Sequence, residues 1–174
     1  MLSEKMETAI NKQIVAETYS AYLYWSMAAY FESLNLAGCA QWMKAQVQEE
    51  LVHAAKLFAF VNERGGRVKL DAIEAPPTEW DSPLAVFENA LAHERKVTGL
   101  INGLVDIALE ERDHASTSFL NWFVDEQVEE EASADAVVQK LKLMKDAPGG
   151  LFMLDRELGQ RVFTMPATTD GGAE

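Results

Sequence analysis

Apolar residues return every three or four positions through most of the chain, and in each stretch polar residues break the repeat at one level. From about Ser3 to Leu34 the stripe reads Ile10, Ile14, Glu17, Ala21, Tyr24, Ala28, Phe31. From about Cys39 to Arg64 it reads Met43, Gln46, Glu50, His53, Leu57, Phe60, and Gly65-Gly66 stops it. A third stretch opens on Ser82-Pro83, a cap residue followed by proline at the first helical position, and carries Phe87, Ala90, Glu94, Val97, Ile101, Leu104, Ala108. A fourth begins near Ala115 and carries Phe123, Gln127, Glu130, Ala134, Val137, Leu141, Met144, until "APGG" at 147–150 ends it. Steps alternating between four and three mark helices that face a bundle core. The spacing predicts an all-α chain: four long helices over about 3–146 and a short fifth at about 150–162. Leu151, Leu154, Leu158 and Val162 share one side of that fifth helix, and a flexible tail follows at 163–174. No sequence repeat or low-complexity tract is evident, and residues 1–174 read as one domain.

The connections set the topology. About four residues join helices one and two, and likewise three and four, so each pair is antiparallel. Residues 65–81 between helices two and three are many more and include Pro76-Pro77. A helix of this size is about 40 Å long, and seventeen residues extend to roughly 55 Å. The chain can therefore cross the whole bundle and start helix three parallel to helix two, the one-crossover form of a four-helix bundle. A slack surface loop with simple up-down order is the alternative.

Charge narrows the function. The net charge is -13, from 28 acidic and 15 basic residues. That excludes a nucleic-acid binder, which needs clustered Lys and Arg, and an anionic membrane surface, while favouring cations. The single Cys39 makes no internal disulfide. No signal-peptide run and no membrane-length apolar run is present, so a soluble cytoplasmic protein is expected.

The interruptions carry the chemistry. Glu17 lies nineteen residues before the break at Leu36, with Glu50 and His53 fourteen and seventeen after it. Glu94 lies nineteen before Asp113, with Gln127 and Glu130 fourteen and seventeen after it. At about 1.5 Å per residue, all six fall in one slab near mid-bundle. A lone Glu on such a stripe is usually solvated, and a lone His is usually hydrogen-bonded core. Six polar groups at matched heights on four helices need another account. Four buried carboxylates are very costly unpaired and raise one another's pKa values, yet no Lys or Arg lies on these stripes. Two divalent ions balance four glutamates. Oxygen ligands with one nitrogen and no thiolate suit iron or manganese rather than copper or structural zinc. Glu50 and His53, three apart, can reach one ion, and a central glutamate can bridge two. The run "DEQVEEE", 125–131, read alone is an exposed acidic face, and Tyr24 and Trp122 near this level read more readily as packing than as redox groups.

With "AETYSAYLYWSMA", "QEELVHA", "AHERKVT" and "NWFVDEQVEEE", the chain resembles the ferritins, specifically the non-haem bacterial type, over roughly residues 3–162. The resemblance implies iron storage and detoxification, with Fe(II) oxidised by O2 or H2O2 at a two-iron ferroxidase centre within each subunit, and a 24-subunit shell holding ferric mineral. Glu17, Glu50 and His53 would hold one iron, and Glu94 and Glu130 the second, with Glu50 bridging, Gln127 nearby and Tyr24 beside the pair. Glu49, Glu126 and Glu129, sharing Glu130, match a third iron position. The fifth helix would pack near a four-fold axis. Bacterioferritins differ: they carry a second Glu-x-x-His where this chain has Gln127-x-x-Glu130, and their haem-ligating methionine falls on Val52, so no haem is expected. The acidic channel positions of animal ferritins match Thr117 and Leu120, which leaves the iron entry route open. A di-iron oxidoreductase or peroxidase of the rubrerythrin or bacterioferritin kind is the alternative, and rubrerythrin would need more cysteines than one. A binding module with structural metals is a further one. A DNA-protecting miniferritin fits poorly, because its ligands straddle a dimer interface.

Overall fold

The computed structural model describes residues 1–144 and 147–164. Its elements are α1 (Glu4–Ser33), α2 (Ala37–Glu63), α3 (Pro83–Glu110), α4 (His114–Leu143) and α5 (Gly150–Leu158). Three starts are set by local chemistry. Ser3, Ser82 and Asp113 each accept a hydrogen bond from a first-turn N–H, and Pro83 follows Ser82 where its missing N–H costs nothing. α2 lacks such a cap, because Leu36 has no side-chain acceptor. Asp155 of α5 supplies one instead, accepting from the Cys39 N–H at 2.8 Å. Gly38 permits this close approach, since a Cβ there would lie 1.6 Å from the Asp155 carbonyl oxygen.

The two tight turns are built alike. Asn35 (φ 57°) and Arg112 (φ 54°) take the left-handed conformation shortly before α2 and α4 begin. Leu36 N–H reaches the Phe31 carbonyl at 3.0 Å, and Asp113 N–H reaches that of Ala108 at 2.8 Å. These backbone bonds close helices α1 and α3 and reverse the chain.

Residues 64–82 run the length of the bundle along α1. Asn11 bonds Arg67 and Lys69 near the start of α1, while Ser26 and Tyr30 near its end bond the carbonyls of Pro77 and Trp80. α3 then begins beside the end of α1, with the Phe31 and Phe87 rings 5.5 Å apart. It ends beside the start of α1, where Ser3 meets Glu111 at 2.6 Å. α3 is therefore antiparallel to α1 and parallel to α2, which is the one-crossover order and not the up-down alternative.

α5 ends at Leu158, four residues short of the expected limit at Val162. Gly159 and Gln160 form a turn, and Val162 is exposed, whereas Leu154 and Leu158 join the apolar core. The tail at 163–174 is described only through Thr164; residues 165–174, like 145–146, lie outside the described residues. Leu120, matched above to a channel position, is instead fully buried, because it shares the inward stripe of α4 with Phe123 and Gln127.

The core falls into two apolar clusters. One gathers Met27, Phe31, Met43, Phe87, Val138 and their neighbours; the other gathers Ile10, Leu57, Ile101, Leu120, Phe123 and theirs. Between them lies a buried polar layer.

Candidate metal centre

Each helix brings up to two turns of buried polar residues into that layer. α1 contributes Gln13, Glu17 and Ser20; α2 contributes Gln46, Glu50 and His53; α3 contributes Glu94; α4 contributes Gln127 and Glu130. All are buried, and among the described residues no buried side chain is lysine or arginine.

Glu17, Glu50 and His53 converge so that one ligand atom of each lies within 4.8 Å of the others. Glu17 Oε2 and Glu50 Oε2 receive no donor from any other residue, the two carboxyls face one another closely enough to share a proton, and His53 Nδ1 lies 3.5 Å from Glu50 Oε2. Buried oxygens without donors cost free energy that a cation relieves. His53, Glu126 and Glu130 form a second such group, also within 4.8 Å. His53 is held by the rings of Trp122 (5.5 Å) and Phe123 (5.9 Å).

The remaining site residues are placed differently. Glu94 belongs to neither group: the Tyr24 hydroxyl donates to its Oε1, and Gln127 Nε2 lies 3.4 Å from its Oε2 and 3.2 Å from its backbone oxygen. Glu49 and Glu129 also stand outside both groups; Glu49 pairs with Arg161 at 2.6 Å, and Glu129 is exposed. Both still line a cavity of about 250 Å³ with Val52, His53 and Glu126. Thr117 donates its hydroxyl to the Asp113 carbonyl at 3.0 Å.

Three participants carried no signal of their own in the sequence. Gln13 donates to Glu17 at 2.9 Å from one turn earlier on α1. Gln46 donates to Glu130 at 2.7 Å across the bundle. Only their places, on an inward stripe or a turn from Glu17, could have marked them. His93 is hydrogen-bonded to Ser20 at 2.7 Å just outside the layer and had no such marker.

Electrostatics follow from burial. Burial first, then the charges of Glu94, Glu17 and Glu130, hold the Glu50 carboxyl well above the usual range. Burial raises Glu17 and Glu126 as well. It pushes Glu94 up to about 7, against the hydrogen bonds of Tyr24 and Gln127, and Glu130 up to about 8, reinforced by Glu94 and Glu49. His53 is lowered to about 4, by burial and then by Lys56, so its imidazole is neutral and available as a ligand. The Tyr24 phenol is pushed well above its ordinary value by burial and the surrounding glutamates. A cation in the layer reverses the cost that keeps these carboxyls protonated.

The family model described as a ferritin-like domain matches residues 7–144. A bacterial non-heme ferritin of Bacteroides fragilis is 50% identical over 161 residues, covering 92% of this chain and all of that protein. One from Staphylococcus aureus is 37% identical over 163 residues, 94% of this chain and 98% of that protein. A solved open-pore ferritin from the archaeon Archaeoglobus fulgidus superimposes with a TM-score of 0.92 at 57% identity, covering 93% of this chain and 100% of that one.

Proposed function

The chain belongs to the ferritin family, and on that premise we propose that it takes up Fe(II) as substrate, oxidises it in pairs in the buried carboxylate layer, and stores the ferric product inside a shell of 24 copies in the cytoplasm. One observation carries the reading: the oxygens of Glu17 and Glu50 that no other residue serves converge with a neutral His53 in a layer holding no buried lysine or arginine among the described residues. Glu17, Glu50 and His53 hold one Fe(II). Glu94 and Glu130 hold the second, with Glu50 between the two and Gln127 alongside. Tyr24 fixes the rotamer of Glu94. Glu49, Glu126 and Glu129, with Glu130, take a third ion.

Charge then drives the cycle. Two Fe(II) ions neutralise the four glutamates and displace the protons that burial holds there. Each iron gives one electron, and the pair reduces dioxygen to peroxide or peroxide to water. Two Fe(III) ions leave two surplus positive charges, which hydroxide from water offsets, so protons leave and the ferric product hydrolyses and moves on. The exposed Leu151, Phe152 and Met153 of α5 give subunits an apolar surface to share.

His53→Ala in a stopped-flow assay of ferrous oxidation under air is the test. The fast absorbance rise disappears in the variant; an unchanged fast phase refutes the centre. Light scattering giving a monomer or a simple dimer removes the shell and leaves the centre standing.

A further inference from the structure

The chain after α5 folds back over the α2/α4 side of the centre. Gln41 donates to the Arg161 carbonyl at 3.3 Å. The Arg161 guanidinium lies over the Trp42 ring, 4.4 Å from its centroid, and its Nη2 donates to Glu49 Oε2 at 2.6 Å. Phe163 and Thr164 then line the cavity of about 250 Å³ that also exposes Glu49, His53, Glu126 and Glu129. Glu49, bonded to Arg161, is not a member of the group that His53 and Glu130 form with Glu126.

We propose that residues 161–164 are a displaceable strap over the third ion position, and that Arg161 is a positioning residue, a built-in cation that holds Glu49 until a metal ion takes its place. This rests on reading the layer as an iron centre. The geometry has the marks of a temporary occupant. A guanidinium offers five N–H donors, yet Nη1 here is buried with no partner among the described residues. The contact to Glu49 is a single charged bond and not a two-pronged one, and the stack on Trp42 supplies the rest. A metal ion on Glu49 would sit close to the Arg161 guanidinium, and like charges at that distance repel, so the two compete for the carboxylate. Binding at Glu49, Glu126 and Glu129 therefore expels the guanidinium and lifts the strap. The third position fills last, only once Fe(II) is abundant enough to compete.

Anaerobic titration of the assembled protein with Fe(II), followed by calorimetry and tryptophan emission, tests this. In the wild type the third equivalent per chain is the weakest, and emission changes at that step because Arg161 leaves Trp42. That change is missing in Trp42→Phe. In Arg161→Ala the third equivalent tightens about tenfold or more, as expected for removing a competing charge-assisted bond, with no emission step. Arg161→Lys restores weak binding. If two equivalents bind but Arg161→Ala binds its third no more tightly than the wild type, the strap is wrong and the centre stands. If the first two equivalents fail to bind, the reading of the centre itself falls.

Discussion

The α1–α2 and α3–α4 hairpins are two versions of one unit. Glu17, Glu49, Glu50 and His53 in the first stand 77 positions before Glu94, Glu126, Gln127 and Glu130 in the second. The turns between them match in backbone conformation. Yet the first hairpin leaves Glu17 Oε2 and Glu50 Oε2 without a donor from any other residue beside a neutral imidazole, although Gln13 serves the other Glu17 oxygen, whereas in the second Tyr24 and Gln127 bond Glu94 and Gln46 bonds Glu130. On the proposed reading, the first half offers an ion oxygens that no other residue serves, and Glu94 and Glu130 of the second exchange protein donors for one. Two of the four matched pairs differ, Glu50 against Gln127 and His53 against Glu130. A second glutamate at 127 would add a fifth buried charge, while glutamine supplies a neutral carbonyl and a donor.

The contrast breaks most readily at its matched central positions. Glu50→Ala lowers the fast phase of ferrous oxidation by about a hundredfold or more, since even outer-shell partners of metal ligands are worth ten- to hundredfold. Gln127→Ala, at the same place in the other hairpin, stays within about tenfold. Equal losses in stopped-flow traces of the two variants would show that the halves do not differ as their hydrogen bonding implies.

Proton linkage comes next in size. Unfolded glutamates release protons near pH 4.3, while folded Glu94 and Glu130 keep theirs to about 7 and about 8. Between these limits the folded state binds more protons, so the metal-free protein loses stability as pH rises from about 4.5 to 8. His53, neutral in the fold down to about 4, works in the other direction below about 6.5. A tenfold change in proton affinity between the folded and unfolded chain is worth about 1.4 kcal/mol, so the loss is on the order of several kcal/mol. Thermal melts across this range record it, and saturating Zn(II), a redox-inert ion that displaces those protons, flattens the slope. A metal-free protein most stable at pH 8 contradicts the account.

Tyr24→Phe has the smallest effect and falls on one half only. Removing the donor from buried Glu94 costs about 1–2 kcal/mol of stability. In an anaerobic Fe(II) titration it alters the second equivalent and leaves the first, held by the other hairpin, unchanged. A shift in both equivalents means the halves are not separable at Glu94.

Much of this was legible in the amino-acid sequence. The four-and-three spacing placed Glu17, Glu50, His53, Glu94, Gln127 and Glu130 inward, and their distances from Leu36 and Asp113 placed them at one height, because a helix converts residue number into rotation and rise. The length of 65–81 permitted the crossover but did not require it. Periodicity says nothing about which oxygen meets which donor across a gap between helices. That Glu17 and Glu50 keep free oxygens, that Gln46 reaches Glu130, and that Arg161 comes 112 residues along the chain to Glu49 were decided by packing at the scale of a hydrogen bond. Hydrogen-bond reach separates a bonded carboxylate oxygen from a free one, and only the assembled bundle sets that distance.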